Sequence, residues 1–95
     1  MRLNPQQTRL VRDCVRHHLG PKTRVWLFGS RVDESKRGGD VDLYVEPQQP
    51  VELLSELKCR VALKDGLDLN VDLVVGSAGT PSPIASIAKR TGVPL

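Results

Sequence analysis

Three aspartates and one glycine-serine pair have the types and spacing to do chemistry in this chain. Asp40 and Asp42 stand two apart in GGDVDLYV, residues 38–45, where polar and apolar residues alternate. Positions i and i+2 of a strand share a face about 7 Å apart, so both carboxylates project from one surface. Two such acids call for a positive charge between them, either an Arg or Lys from elsewhere or a divalent cation with oxygen ligands. Asp72, within LNVDLVV at residues 69–75, adds a third carboxylate if its strand neighbours the first. Gly29-Ser30 directly follows the apolar run Val25–Phe28. A glycine that permits close approach, followed by unpaired backbone N–H groups at the opening of a helical turn, makes a phosphate cradle. An anion site beside a divalent-cation site equips a protein for nucleotide transfer, in which ions activate the attacking oxygen and stabilise the leaving phosphate.

Each feature also has a plainer reading. Asp40 can be a turn or cap residue after Gly38-Gly39, and Asp42 an outward-facing strand residue paired with Arg31 or Lys36. Gly29-Ser30 can simply end a strand. The ordered set favours the chemical reading: strand, Gly-Ser, polar loop, Asp-x-Asp on a strand, then an Asp in a later strand.

The elements that must position these residues are legible in outline. Asn4-Pro5-Gln6-Gln7 carries a helix start, with Asn4 as cap, Pro5 at the first helical position and Gln7 reaching back as in a capping box. Leu10, Val11, Cys14, Val15 and Leu19 follow at helical spacing, and Gly20-Pro21 stops the helix. Val25–Phe28 is a short strand buried on both faces, with Trp26 and Phe28 in the core. In residues 40–45, Val41, Leu43 and Val45 point one way and Asp40, Asp42 and Tyr44 the other, as in a half-buried strand with a polar face; Tyr44 packs at the pocket edge. Val51, Leu53, Leu54, Leu57 and Val61 predict a second amphipathic helix to about Lys64, ended by Asp65-Gly66. Residues 69–75 form a third strand, with Asn70, Asp72 and Val74 on one face. A Gly/Ser/Pro loop over 76–83 leads to a last short helix with Ile84, Ile87 and Ala88, closed by Gly92 and Pro94. The order predicts one α/β (α+β) domain over residues 1–95, a sheet of about three strands covered by helices.

Composition bounds the rest. The 95 residues suffice for a single compact domain, and one Trp, one Tyr and one Phe leave an aliphatic core. A formal net charge of +3 permits contact with phosphates or an acidic partner, yet the bases are scattered and aromatics few, which disfavours a dedicated nucleic-acid binder. Cys14 and Cys59 lack metal or redox spacing and read as small buried apolar residues. His17 and His18 near the end of the first helix suit its dipole and are assigned no function. Without a signal-like or membrane-length apolar run, a cytoplasmic location is the default expectation.

FGS at residues 28–30, GGDVDLYV and the later VDLVV together resemble the signature of the DNA polymerase beta type nucleotidyltransferase superfamily. The likeness extends from Trp26 to Val75, and the short chain ending IASIAKRTGVPL is similar to the minimal nucleotidyltransferases, often found beside a helical HEPN-type partner. The resemblance implies a mixed sheet in which the second and third strands are neighbours. It implies that Asp40, Asp42 and Asp72 are catalytic and hold two magnesium ions, and that Gly29, Ser30 and Arg31 bind the triphosphate of ATP or another nucleoside triphosphate. A hydroxyl would attack the α-phosphorus and pyrophosphate would leave. The chain departs from many minimal members at Asp33-Glu34, where they carry a basic residue and a glycine; Lys36 and Arg37 can supply that charge. The resemblance implies a HEPN-like protein partner or a homodimer, with an antitoxin role by adenylylation; the alternative is a non-catalytic antitoxin or regulatory subunit that acts by binding alone.

Overall fold

The structure, a computed structural model, describes residues 3–28, 41–77 and 79–95. Helix α1 spans Pro5–Leu19 and begins as its sequence dictates. The Asn4 side chain accepts from the Gln7 N–H at 2.7 Å, and the Gln7 side chain accepts from the Asn4 N–H at 2.9 Å. Strand β1 (Arg24–Phe28), strand β2 (Val41–Glu46), helix α2 (Leu53–Leu67), strand β3 (Val71–Val75), helix α3 (Pro83–Thr91) and the short strand β4 (Val93–Pro94) follow.

The strands form one sheet in the order β3-β2-β1-β4. β1 is antiparallel to β2 and β4, whereas β2 and β3 run parallel, joined by the α2 crossover. The mixed sheet and the β2–β3 adjacency are those expected; the described residues form four strands, not about three, because the chain returns after Gly92 to pair Val93 with Leu27.

Alternation along the strands sorts the side chains into two layers. On one face Val25, Leu27, Val41, Leu43, Val45 and Leu73 pack with Val11, Val15 and Leu19 of α1 and Cys59, Leu63 and Leu67 of α2. Each fully buried aliphatic side chain there contributes about 1.5–3 kcal/mol. On the other face Trp26, Phe28 and Tyr44 pack under Ala85 and Ala88 of α3, whose small side chains let the helix approach closely. β2 is therefore covered on both faces, not half-buried: Tyr44, expected at a pocket edge, is fully buried.

Two expectations about α2 fail. The helix does not stop at Asp65-Gly66 but runs to Leu67, capped by Asp68 in the left-handed conformation at φ 54°. Gly66 serves packing instead: a Cβ there would lie 2.8 Å from the Leu10 side chain of α1. The buried face is Cys59, Leu63 and Leu67, while Leu53, Leu54, Leu57 and Val61 are exposed. Cys59 is buried and Cys14 half-buried, with the Cys14 Sγ donating to the Cys59 carbonyl at 3.9 Å. Burial pushes the Cys59 thiol up to about 12, with the neighbouring Cys14 adding to the rise, so it packs as a neutral residue. No helix among the described residues is long and apolar enough to cross a membrane.

Candidate functional site

The α3 face of the sheet is organised in rows across the strands. Phe28, Asp42 and Asp72 form one row, since Asp42 is the Cα partner of Phe28 on one side and of Asp72 on the other. Trp26, Tyr44 and Val74 form the next. Beyond it lie Arg24 and Glu46. Because β2 and β3 run parallel, residues in register point to the same side, and adjacent strands lie about 4.8 Å apart. Asp42 and Asp72, 30 residues apart in sequence, thus meet as neighbours on one surface. Asp42 is half-buried and Asp72 exposed, where the sheet emerges from beneath α3.

Phe28, the residue before Gly29, is the strand partner of Asp42, so the chain leaves β1 beside that carboxylate. Gly29, Ser30, Arg31 and Asp40 lie outside the described residues, as do Lys36 and Arg37. Of the six site residues named from sequence, Asp42 and Asp72 are described and adjacent. Oxygen-only donors of this kind suit a hard cation such as magnesium. Among the described residues no cluster of three His, Cys, Asp or Glu forms.

At the far end of the same face lies a group of residues that sequence reasoning missed. Glu46 is 5% exposed, and one of its carboxylate oxygens accepts from the Tyr44 hydroxyl at 2.8 Å and from Lys89 Nζ of α3 at 2.7 Å. Lys89 and Arg24 also sit over the Trp26 ring, 5.5 and 5.0 Å from its centroid. Burial alone would raise the Glu46 carboxyl, but the hydrogen bonds from Lys89 and Tyr44 and the charges of Lys89 and Arg24 outweigh it and hold it below its ordinary value. Burial, and then the bond to Glu46, pushes the Tyr44 phenol up to about 12 against a smaller opposing bond from Ser82. The hint in the sequence was the period-two alternation itself, which puts Glu46 on the Asp42 face one step past Tyr44. This group clamps α3 onto the sheet. A cavity of about 430 Å³ lined by Pro47, Val51, Glu56 and Gly76 opens at the opposite end of β2 and β3 from the aspartates.

The profile of the nucleotidyltransferase domain family matches residues 8–92. Similar solved structures span nearly the whole chain. One, described as a toxin-antitoxin with AMP-PNP, is 23% identical with a TM-score of 0.71, covering 97% of this chain and 72% of its own. A second, a tri-AMPylated Shewanella oneidensis HEPN toxin in complex with MNT antitoxin, is 21% identical with a TM-score of 0.65, covering 93% and 66%. A third, described as a candidate minimal nucleotidyltransferase, is 25% identical with a TM-score of 0.68, covering 98% and 97%. No curated protein matches the sequence.

Proposed function

The chain belongs to the nucleotidyltransferase domain family, and from that premise we propose that it transfers a nucleoside monophosphate, AMP from ATP, to a hydroxyl of a partner protein, acting as the antitoxin of a toxin-antitoxin pair. The observation that carries this reading is the register that sets Asp42 beside Asp72 on the open end of one sheet face. The solved complexes with AMP-PNP and with an AMPylated HEPN toxin, built on the same fold, favour ATP as donor and a HEPN-like helical protein as acceptor.

In this reading Asp40, Asp42 and Asp72 hold magnesium, which would supply charge neutralisation at the triphosphate and acidify the acceptor hydroxyl. Asp72, on the exposed edge strand, lies on the side open to an incoming acceptor and takes its proton. Gly29 and Ser30 offer backbone N–H groups to the phosphates, and Arg31 adds a fixed positive charge to them. The in-line step joins the acceptor oxygen to the α-phosphorus while the bond to pyrophosphate breaks. Phe28 and the row of Trp26 and Tyr44 behind it are buried with Ala85 and Ala88 and give this region an apolar floor.

The test is incubation with α-labelled ATP, magnesium and a HEPN-like protein encoded beside this chain. Label on the partner with stoichiometric pyrophosphate, both lost in Asp42→Asn, is the expected result. Neutralisation of the partner without labelling, unchanged in Asp42→Asn, would establish action by binding alone and overturn the proposal.

A further inference from the structure

Helix α2 is apolar on two sides, and only one of them is covered. Cys59 and Gly66 turn toward α1, while Leu63 and Leu67 reach the sheet. On the side away from α1, Leu53, Leu54, Leu57 and Val61 recur at helical spacing with exposures of 68%, 59%, 47% and 63%. A helix with apolar residues this far around its circumference is ordinarily buried on both sides, and an exposed contiguous stripe marks an interaction surface.

The charges along α2 indicate what covers it. Acids precede bases: Glu52 and Glu56 lie in the first part, then Lys58, Arg60 and Lys64. On one border of the stripe Glu56 and Arg60 form an i,i+4 ion pair at 3.5 Å. A two-fold axis beside residue 58 would set a second α2 antiparallel to the first, bringing Glu56 of each copy opposite Arg60 of the other. Two carboxylates and two guanidiniums would then close a ring along that border. In the same register Leu57 falls between Leu57 and Val61 of the other copy, so the apolar side chains interdigitate. Antiparallel alignment also opposes the two helix dipoles favourably. Lys58 lies on the other border near the axis, where its exposed stem lets the ammonium turn to water.

We infer that the stripe formed by Leu53, Leu54, Leu57 and Val61 is the self-complementary interface of a homodimer, built by antiparallel two-fold packing of α2 on the α2 of a second copy. The contact is isologous and closes on itself, leaving the Asp42–Asp72 face of each copy free. It is independent of the activity proposed above.

Sedimentation equilibrium over a concentration series tests it. The wild type is expected to dimerise, Leu57→Glu to raise the dimer dissociation constant at least about 30-fold with unchanged circular dichroism. Glu56→Arg alone and Arg60→Glu alone are each expected to weaken the homodimer, and an equimolar mixture of the two variants to associate as a heterodimer, an outcome that pairing confined to one helix would not produce. A wild type that stays monomeric to about 1 mM, the range of the weakest specific complexes, overturns the inference and leaves the stripe to a different protein. A dimer indifferent to Leu57→Glu, or a mixture of the two charge variants that associates no better than either alone, overturns it equally.

Discussion

Strand β2 presents a carboxylate near each end of one face, and the two ends are built differently. Glu46 is enclosed: a phenol and an ammonium both bond one of its oxygens, and α3 closes over it. Asp42 stands beside a second carboxylate in register on the next strand, at an end of the face that reaches solvent at Asp72. One arrangement spends its charge on holding a helix. The other sets two carboxylates side by side in register, the arrangement on which the proposed function draws. The same residue class on the same strand thus holds a helix at one end and, at the other, forms the carboxylate pair to which the proposed function assigns the chemistry; the neighbours, not the acid, make the difference.

Substitutions can separate the two roles. Asp42→Asn is expected to reduce nucleotidyl transfer on the order of 1,000-fold, the scale of several kcal/mol of transition-state stabilisation, while moving the urea midpoint little. Glu46→Ala is expected to do the reverse. It leaves the buried Tyr44 hydroxyl without its acceptor and costs about 1–3 kcal/mol, read as a fall in thermal midpoint of about 4–8 °C per kcal/mol, with transfer per folded molecule retained. If Glu46→Ala abolished transfer in a fully folded sample, the separation of roles would fail. Gly76→Ala should follow at about 1–2 kcal/mol, because a Cβ at Gly76 would overlap the Tyr44 hydroxyl and push it off Glu46.

The smallest effects are in pH. The folded Glu46 carboxyl titrates below its unfolded value, so its contribution is complete above the unfolded value and is lost as pH falls through the folded one. Tyr44 behaves oppositely. Its phenol, raised to about 12, contributes stability that is complete below its ordinary value and is lost as pH rises through the folded one. Trp26, whose ring centroid is 5.7 Å from that of Tyr44, reports the alkaline transition by fluorescence, and Tyr44→Phe should remove that part of the pH dependence.

Much of this was legible in sequence where local rules act alone. The capping box at Asn4, the strands read at 25–28 and 40–45, each within a residue of the observed bounds, and the closing helix follow from residues within a turn or two of one another. The position of Asp72 was legible only through resemblance, since nothing within LNVDLVV says which strand lies beside it. The inward face of α2 was misread because Leu53, Leu54, Leu57 and Val61 repeat at helical spacing as cleanly as Cys59, Leu63 and Leu67 do; periodicity identifies an apolar face without saying what covers it. Gly66 was read as a stop because a glycine near the end of a helical pattern looks the same whether it frees the backbone or admits a neighbouring helix. The Glu46–Lys89 clamp joins residues 43 positions apart and has no local signature.

The parallel register of β2 and β3 also carries a kinetic meaning. Asp42 and Asp72 come together only when the chain has closed a loop around α2, a non-local pairing that is slow compared with forming either helix. A slip of one residue would turn Asp72 toward the aliphatic layer and bury a charge there. The paired aspartates therefore exist only in the finished sheet, and a newly made or refolding chain gains them at the step that completes its topology.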